Sequence, residues 1–225
     1  MTAAPVALPG GPPPPLDYRP PAGPLVVLHA DPEIVALDKP SGLLTVPGKP
    51  AHLADSLMTR AAARWPGARP VHRLDLGASG VVVFALTPRA LRILSGQFAK
   101  RLPEKGYVAL VAGAPEGEAG RIALPLRADW PNRPRQMVAA DGKPAVTDWR
   151  VIAREGAATR MALAPLTGRS HQLRVHMAAQ GWPILGDPLY GDAASAPRLM
   201  LHAARLALRH PEDGRWIAFA VPAPF

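Results

Sequence analysis

Short apolar runs recur from Leu25 to Val221, and most are too brief to make a helix of ordinary length. Segments 25–29, 33–38, 80–86, 106–112, 121–126, 145–153, 159–164, 199–209 and 215–221 read as strands. Several alternate apolar with polar residues, as in Ile122-Leu124-Leu126 and Met161-Leu163, which is the period of a half-buried strand. Helical patterning is rarer. Over 88–101, Thr87 stands at the N-cap, Pro88 opens the first turn, and Leu91, Leu94 and Phe98 share a face. Helices are also predicted over 54–65 and 170–180, the second capped by Ser170 and ended by Gly181. Many strands with irregularly inserted helices define an α+β class built on a large, mixed, mainly antiparallel sheet flanked by helices and loops.

The 225 residues suffice to bury a substantial core. Residues 1–24 are Pro- and Gly-rich and read as an extended or disordered tail, leaving 25–225 as one continuous domain. The longest strongly apolar run, Val81 to Leu86, is far short of the roughly 18 to 20 residues that cross a bilayer. No basic segment followed by an apolar core opens the chain, so no secretory signal is visible and a cytoplasmic protein without membrane contact is expected. Cysteine is absent, which excludes disulfides and thiolate metal sites.

A net charge of +9 points to a polyanionic partner, since phosphate contacts dominate non-specific nucleic-acid affinity. Lysine occurs only at 39, 49, 100, 105 and 143, so arginine supplies most of the 26 basic residues. Arginine's planar fork suits phosphates and base edges, although a coding bias explains the ratio equally well. The total charge is the better clue.

Phosphate-cradling glycine loops, dinucleotide fingerprints and zinc-ligand spacings are missing from the sequence. Gly77-Ala78-Ser79-Gly80 matches a serine elbow only weakly. What remains is a carboxylate among arginines, in His72-Arg73-Leu74-Asp75-Leu76-Gly77-Ala78-Ser79-Gly80. Asp75 is either a turn residue or a reacting group. A second dense segment runs from Leu166 to His176, where Arg174 and His171 are three apart and Leu173 and Met177 four. An arginine in that first turn pairs with a carboxylate, either structurally or to hold a nucleophile ionised. Tyr107, in an apolar strand beside a basic turn, is either core or a stacking surface for a base.

Together "LDKPSGLLTVPG" (37–48), "VHRLDLGASGVVVFAL" (71–86), "KGYVALVAG" (105–113) and "LTGRSHQLRVHMAAQGWPILGDPLYG" (166–191) closely resemble the RluA-type family of pseudouridine synthases. The resemblance implies cleavage of a uridine's N1 glycosidic bond, rotation of the bound base and rejoining through C5, with no metal or organic cofactor. It implies that Asp75 is the nucleophile, attacking ribose or base, that Tyr107 packs on the target base and takes part in proton removal, and that Arg174 pairs with the aspartate. Arg73 matches a residue that fills the space of the flipped base, and Leu173 one that walls the base pocket. His72 and Arg169, beside these positions, are further RNA-contact candidates. Flipping costs a few kcal/mol, offset by stacking and by the inserted side chain.

Ala78 departs from the family, which often has Thr there, and the S4-type RNA-binding domain often found before the core is not recognisable. Segments "DWPNRPRQ" (129–136) and "DGKPAVTDW" (141–149) most resemble the family's namesake, which acts on uridine 32 of the tRNA anticodon stem-loop and uridine 746 of 23S rRNA. Within the first, Arg133 and Arg135 form either an RNA-gripping loop or a solvated turn. A monomer with an RNA partner and no protein partner is expected. The competing reading is an RNA-binding or remodelling protein without turnover. An acid–base hydrolase lacks a recognisable second carboxylate.

Overall fold

A computed structural model describes residues 16–225, and the first fifteen residues of the Pro-rich tail lie outside the described part. In chain order the elements begin with β1 (Val26–Ala30), β2 (Ile34–Lys39), α1 (Leu57–Arg64), β3 (Arg69–Pro70), β4 (Ser79–Ala85) and α2 (Pro88–Ala99). There follow β5 (Glu104–Ala112), β6 (Ala119–Ala123), β7 (Leu126–Ala128), β8 (Gln136–Val138), β9 (Val146–Glu155) and β10 (Ala158–Pro165). The chain closes with α3 (Gln172–Ala179), β11 (Leu201–Arg209) and β12 (Trp216–Ala220). These elements fall into two compact units, a flanking unit of Asp17–Lys105 with His202–Pro224 and a central unit containing Gly106–Leu201.

In the flanking unit β4 is wholly buried, which its unbroken apolar run anticipates. It pairs antiparallel with β2 and β3, and parallel with β11 through His202 and Ala203 opposite Ser79 and Gly80. Gly80 has φ +112, and a Cβ there would lie 2.3 Å from the Ala203 carbonyl oxygen, so only glycine permits this crossing. One core joins Ile34, Val81, Val83, Leu206, Leu208 and Phe219 to Ala90 and Leu94 of α2. Burying Leu94 completely stabilises by about 2 kcal/mol. As predicted, Thr87 caps α2 by accepting from the Ala90 amide, at 3.0 Å. Helix α1 begins later than predicted, because Ser56 and Thr59 form a reciprocal capping box.

The central unit carries the antiparallel order β5-β10-β9-β6 and the small β7–β8 hairpin. The single strand predicted over 121–126 is instead the end of β6 and the start of β7. Pro125 between them has no amide to give a ladder. Helix α3 is not capped by Ser170. His171 takes the N-cap position with φ 52 and no side-chain cap. Gly181, at φ +80, ends α3 as predicted, and the Trp182 amide reaches back to the Met177 carbonyl at 3.0 Å.

Part of the predicted tail is held in place. The Tyr18 hydroxyl donates to the Asp55 carbonyl at 2.7 Å and accepts from the Leu44 amide at 3.1 Å, and Arg60 donates to the Pro21 carbonyl at 2.9 Å. That part has no secondary structure.

Candidate active site

Asp75 sits in the turn that leads from β3 to β4, and the backbone on both sides of it is gripped by one neighbouring segment. Thr45 Oγ1 donates to the Leu74 carbonyl at 2.9 Å and accepts from the Leu74 amide at 3.1 Å. Ser41 Oγ donates to the Gly77 carbonyl at 2.6 Å, and the Gly42 amide to the Leu76 carbonyl at 2.9 Å. Lys39, fully buried, aims its ammonium at three carbonyls: Leu43 at 2.6 Å, Pro40 at 2.9 Å and Leu76 at 3.2 Å. A buried ammonium is tolerated only where oxygens replace its water. The Ala78 amide closes the turn on the Asp75 carbonyl at 3.2 Å, and Ala78 itself is buried.

Around this turn, Arg73 is exposed. His72 has a different position. Its Nε2 accepts from the Val83 amide at 3.1 Å, and its ring stacks on Phe98 with centroids 4.8 Å apart. Burial, reinforced by the Lys105 ammonium, lowers its pKa to about 3. The imidazole is therefore neutral at physiological pH and any contact it makes with RNA is not that of a cation. Lys105 is itself shifted below the usual lysine value, first by burial and then by Arg101.

In the central unit Arg174 lies in the first turn of α3 and forms a bidentate pair with Asp187. Nε to Oδ2 and Nη2 to Oδ1 are both 2.7 Å, and both side chains are buried. Asp187 Oδ1 also accepts from the Leu189 and Tyr190 amides. The guanidinium lies over the Tyr190 ring, 5.1 Å from its centroid, while the Tyr190 hydroxyl meets His171 Nδ1 and the Gln136 amide, each at 2.7 Å. His171 and Arg174 thus converge on Tyr190. They do not do so as partners on a helix face, because His171 precedes the helix. Behind them Gln172 and His176 meet at Thr147, and burial lowers the pKa of His176.

Tyr107 is half-buried on β5, opposite Leu163 of β10. Leu173 is buried in α3, and Arg169 is partly buried and donates to the Pro144 carbonyl at 3.1 Å. The two loop arginines differ. Arg133 is exposed, whereas Arg135 is 7% exposed and faces inward, so of the two only Arg133 lies at the surface. Lys39, Ser41, Thr45, Asp187 and Tyr190 received no role from sequence. All five stand inside the quoted motifs, and that placement was the only signal. Among the described residues no cluster of His, Asp or Glu has the arrangement to hold a metal ion, and no helix is long and apolar enough to cross a membrane.

The chain that carries the Asp75 turn and the Arg174–Asp187 pair matches a family model described as RNA pseudouridylate synthase. That model matches residues 33–179, more than half of the chain, and the chain belongs to this family of RNA-acting isomerases. Among its relatives, the dual-specificity RNA pseudouridine synthase RluA of Escherichia coli strain K12 is 50% identical over 215 residues, covering 93% of this chain and 98% of the relative. The protein of the same name from Pasteurella multocida is 47% identical over 216 residues, covering 93% and 99%. Among solved structures, human RNA pseudouridylate synthase domain containing 1 superposes with a TM-score of 0.77 at 28% identity, covering 92% of this chain and 87% of that one.

Proposed function

We propose that this protein, a monomer of the cytoplasm, forms pseudouridine in both tRNA and 23S rRNA, with Asp75 as the nucleophile. The two target uridines are those named above for the family's namesake. The dual specificity in the name of relatives at 47–50% identity supports two substrates. In the reaction the N1–C1′ bond breaks, the base turns, the C5–C1′ bond forms, C5 loses a proton and N1 gains one, so no co-reactant is consumed. Tyr107 and Arg174 take the roles the family resemblance assigns them. Arg73 fills the space the base leaves, Leu173 walls its pocket, and Arg133 and Arg169 contact the RNA.

The observation that carries this reading is the grip on Leu74, Leu76 and Gly77, which fixes the backbone on both sides of Asp75. A nucleophile gains most from such positioning, because a misplacement of about 1 Å can cost on the order of a hundredfold in rate. The test is Asp75→Asn, with pseudouridines mapped by carbodiimide-dependent stops. Expected are loss of modification at one tRNA and one rRNA uridine and retention of most RNA affinity. A substituted protein that modifies RNA at near the original rate would overturn the assignment. If cells lacking the protein lose no pseudouridine, the binding-only reading stands instead.

A further inference from the structure

We propose that Trp130 and Arg133, in the loop between β7 and β8, form a platform on which an unpaired base of the RNA substrate stacks. Trp130 is 62% exposed, the largest exposure recorded for a large apolar side chain among the described residues. The core makes little use of it. The Arg133 guanidinium lies 3.5 Å from the centroid of the Trp130 ring and is itself exposed. One face of the indole is therefore backed by a cation that is also free to reach a phosphate.

The loop is organised in advance. The Asp129 amide donates to the Arg135 carbonyl at 3.0 Å, the Asn132 amide to the Asp129 carbonyl at 3.1 Å, and the Arg135 amide to the Asn132 carbonyl at 3.0 Å. Asn132 Nδ2 adds a bond to the Asp129 carboxylate at 2.9 Å. A stacking surface held this way needs little further ordering when it binds. Its base is tied to the arginine region, because the Gln136 amide donates to the hydroxyl of Tyr190, whose ring underlies Arg174. An indole face accepts any unstacked base, and an adjacent cation selects a nucleic acid over an apolar peptide. The inference rests on the family's RNA substrate and extends it to a subsite for a loop nucleotide other than the reacting uridine.

The test measures affinity of the full chain for an anticodon stem-loop RNA and for a fully paired RNA duplex of equal length, at one salt concentration. Trp130→Ala is expected to weaken stem-loop binding by about tenfold and duplex binding by less than about twofold, with KM rising more than kcat falls. Trp130→Phe is expected to recover most of the loss. Arg133→Ala is expected to weaken binding and to reduce the salt slope by about one contact. The melting temperature of all three should match the parent, since both side chains are exposed. Equal losses on both RNAs, no loss on either, or a Phe variant no better than Ala would overturn the platform. No loss on either RNA would leave the exposed indole to a protein contact. Because binding is read without turnover, a parent protein that forms no pseudouridine would refute the proposed reaction and leave this test intact.

Discussion

A single hydroxyl, Thr45 Oγ1, satisfies both backbone polar groups of Leu74, donating to its carbonyl and accepting from its amide. Leu74 is buried and directly precedes Asp75, so neither group has water as an alternative partner. Thr45→Val keeps the shape and removes both bonds. It should cost about 2 kcal/mol of stability, measured by urea denaturation, and about tenfold in the single-turnover rate of pseudouridine formation. Thr45→Ser should restore most of both. A valine variant with full activity would show that the grip does not position Asp75.

Tyr18 acts one step further out, since its hydroxyl holds the Leu44 amide next to Thr45. Tyr18→Phe should cost about 1 kcal/mol and reduce kcat by less than Thr45→Val does, with RNA affinity unchanged. Kinetics at saturating RNA, compared with equilibrium binding, separate these effects.

Breaking the Arg174–Asp187 pair leaves a carboxylate at 0% exposure with only backbone amides for company. Arg174→Met should therefore destabilise by about 3–5 kcal/mol. Asp187→Asn, which still offers an acceptor, should be milder for folding. Chemical denaturation of both variants checks the order, and the gap should hardly change with salt because the pair is shielded from solvent.

Acid should unfold the protein partly through His72. Its folded pKa of about 3 lies below the usual 6.5, so between these values the unfolded chain binds the extra proton. Stability from this group is complete above 6.5 and falls as pH drops towards 3, with a slope of up to about 1.4 kcal/mol per pH unit. His72→Gln, which keeps an acceptor for the Val83 amide, should flatten the stability profile between pH 6.5 and 4.5. An unchanged slope would place the acid sensitivity elsewhere, with His176 the next residue to test.

Local features were readable before any fold was known. Thr87 and Pro88 start α2 in the structure as they do in the sequence, and the apolar run of β4 is the buried strand it predicts. The motifs around Asp75, Tyr107 and Arg174 carried the family by themselves. Such signals are local because capping, periodicity and turn chemistry depend on residues a few positions apart. What Lys39, Thr45 and Ser41 do was decided by tertiary structure, which brings them to carbonyls and amides 29 to 37 positions away along the chain. Asp187 as a partner of Arg174, and the burial of Arg135 beside an exposed Arg133, were decided in the same way. An arginine looks alike in sequence whether it faces solvent or a buried carboxylate, and only the packing of distant segments settles which surroundings it meets.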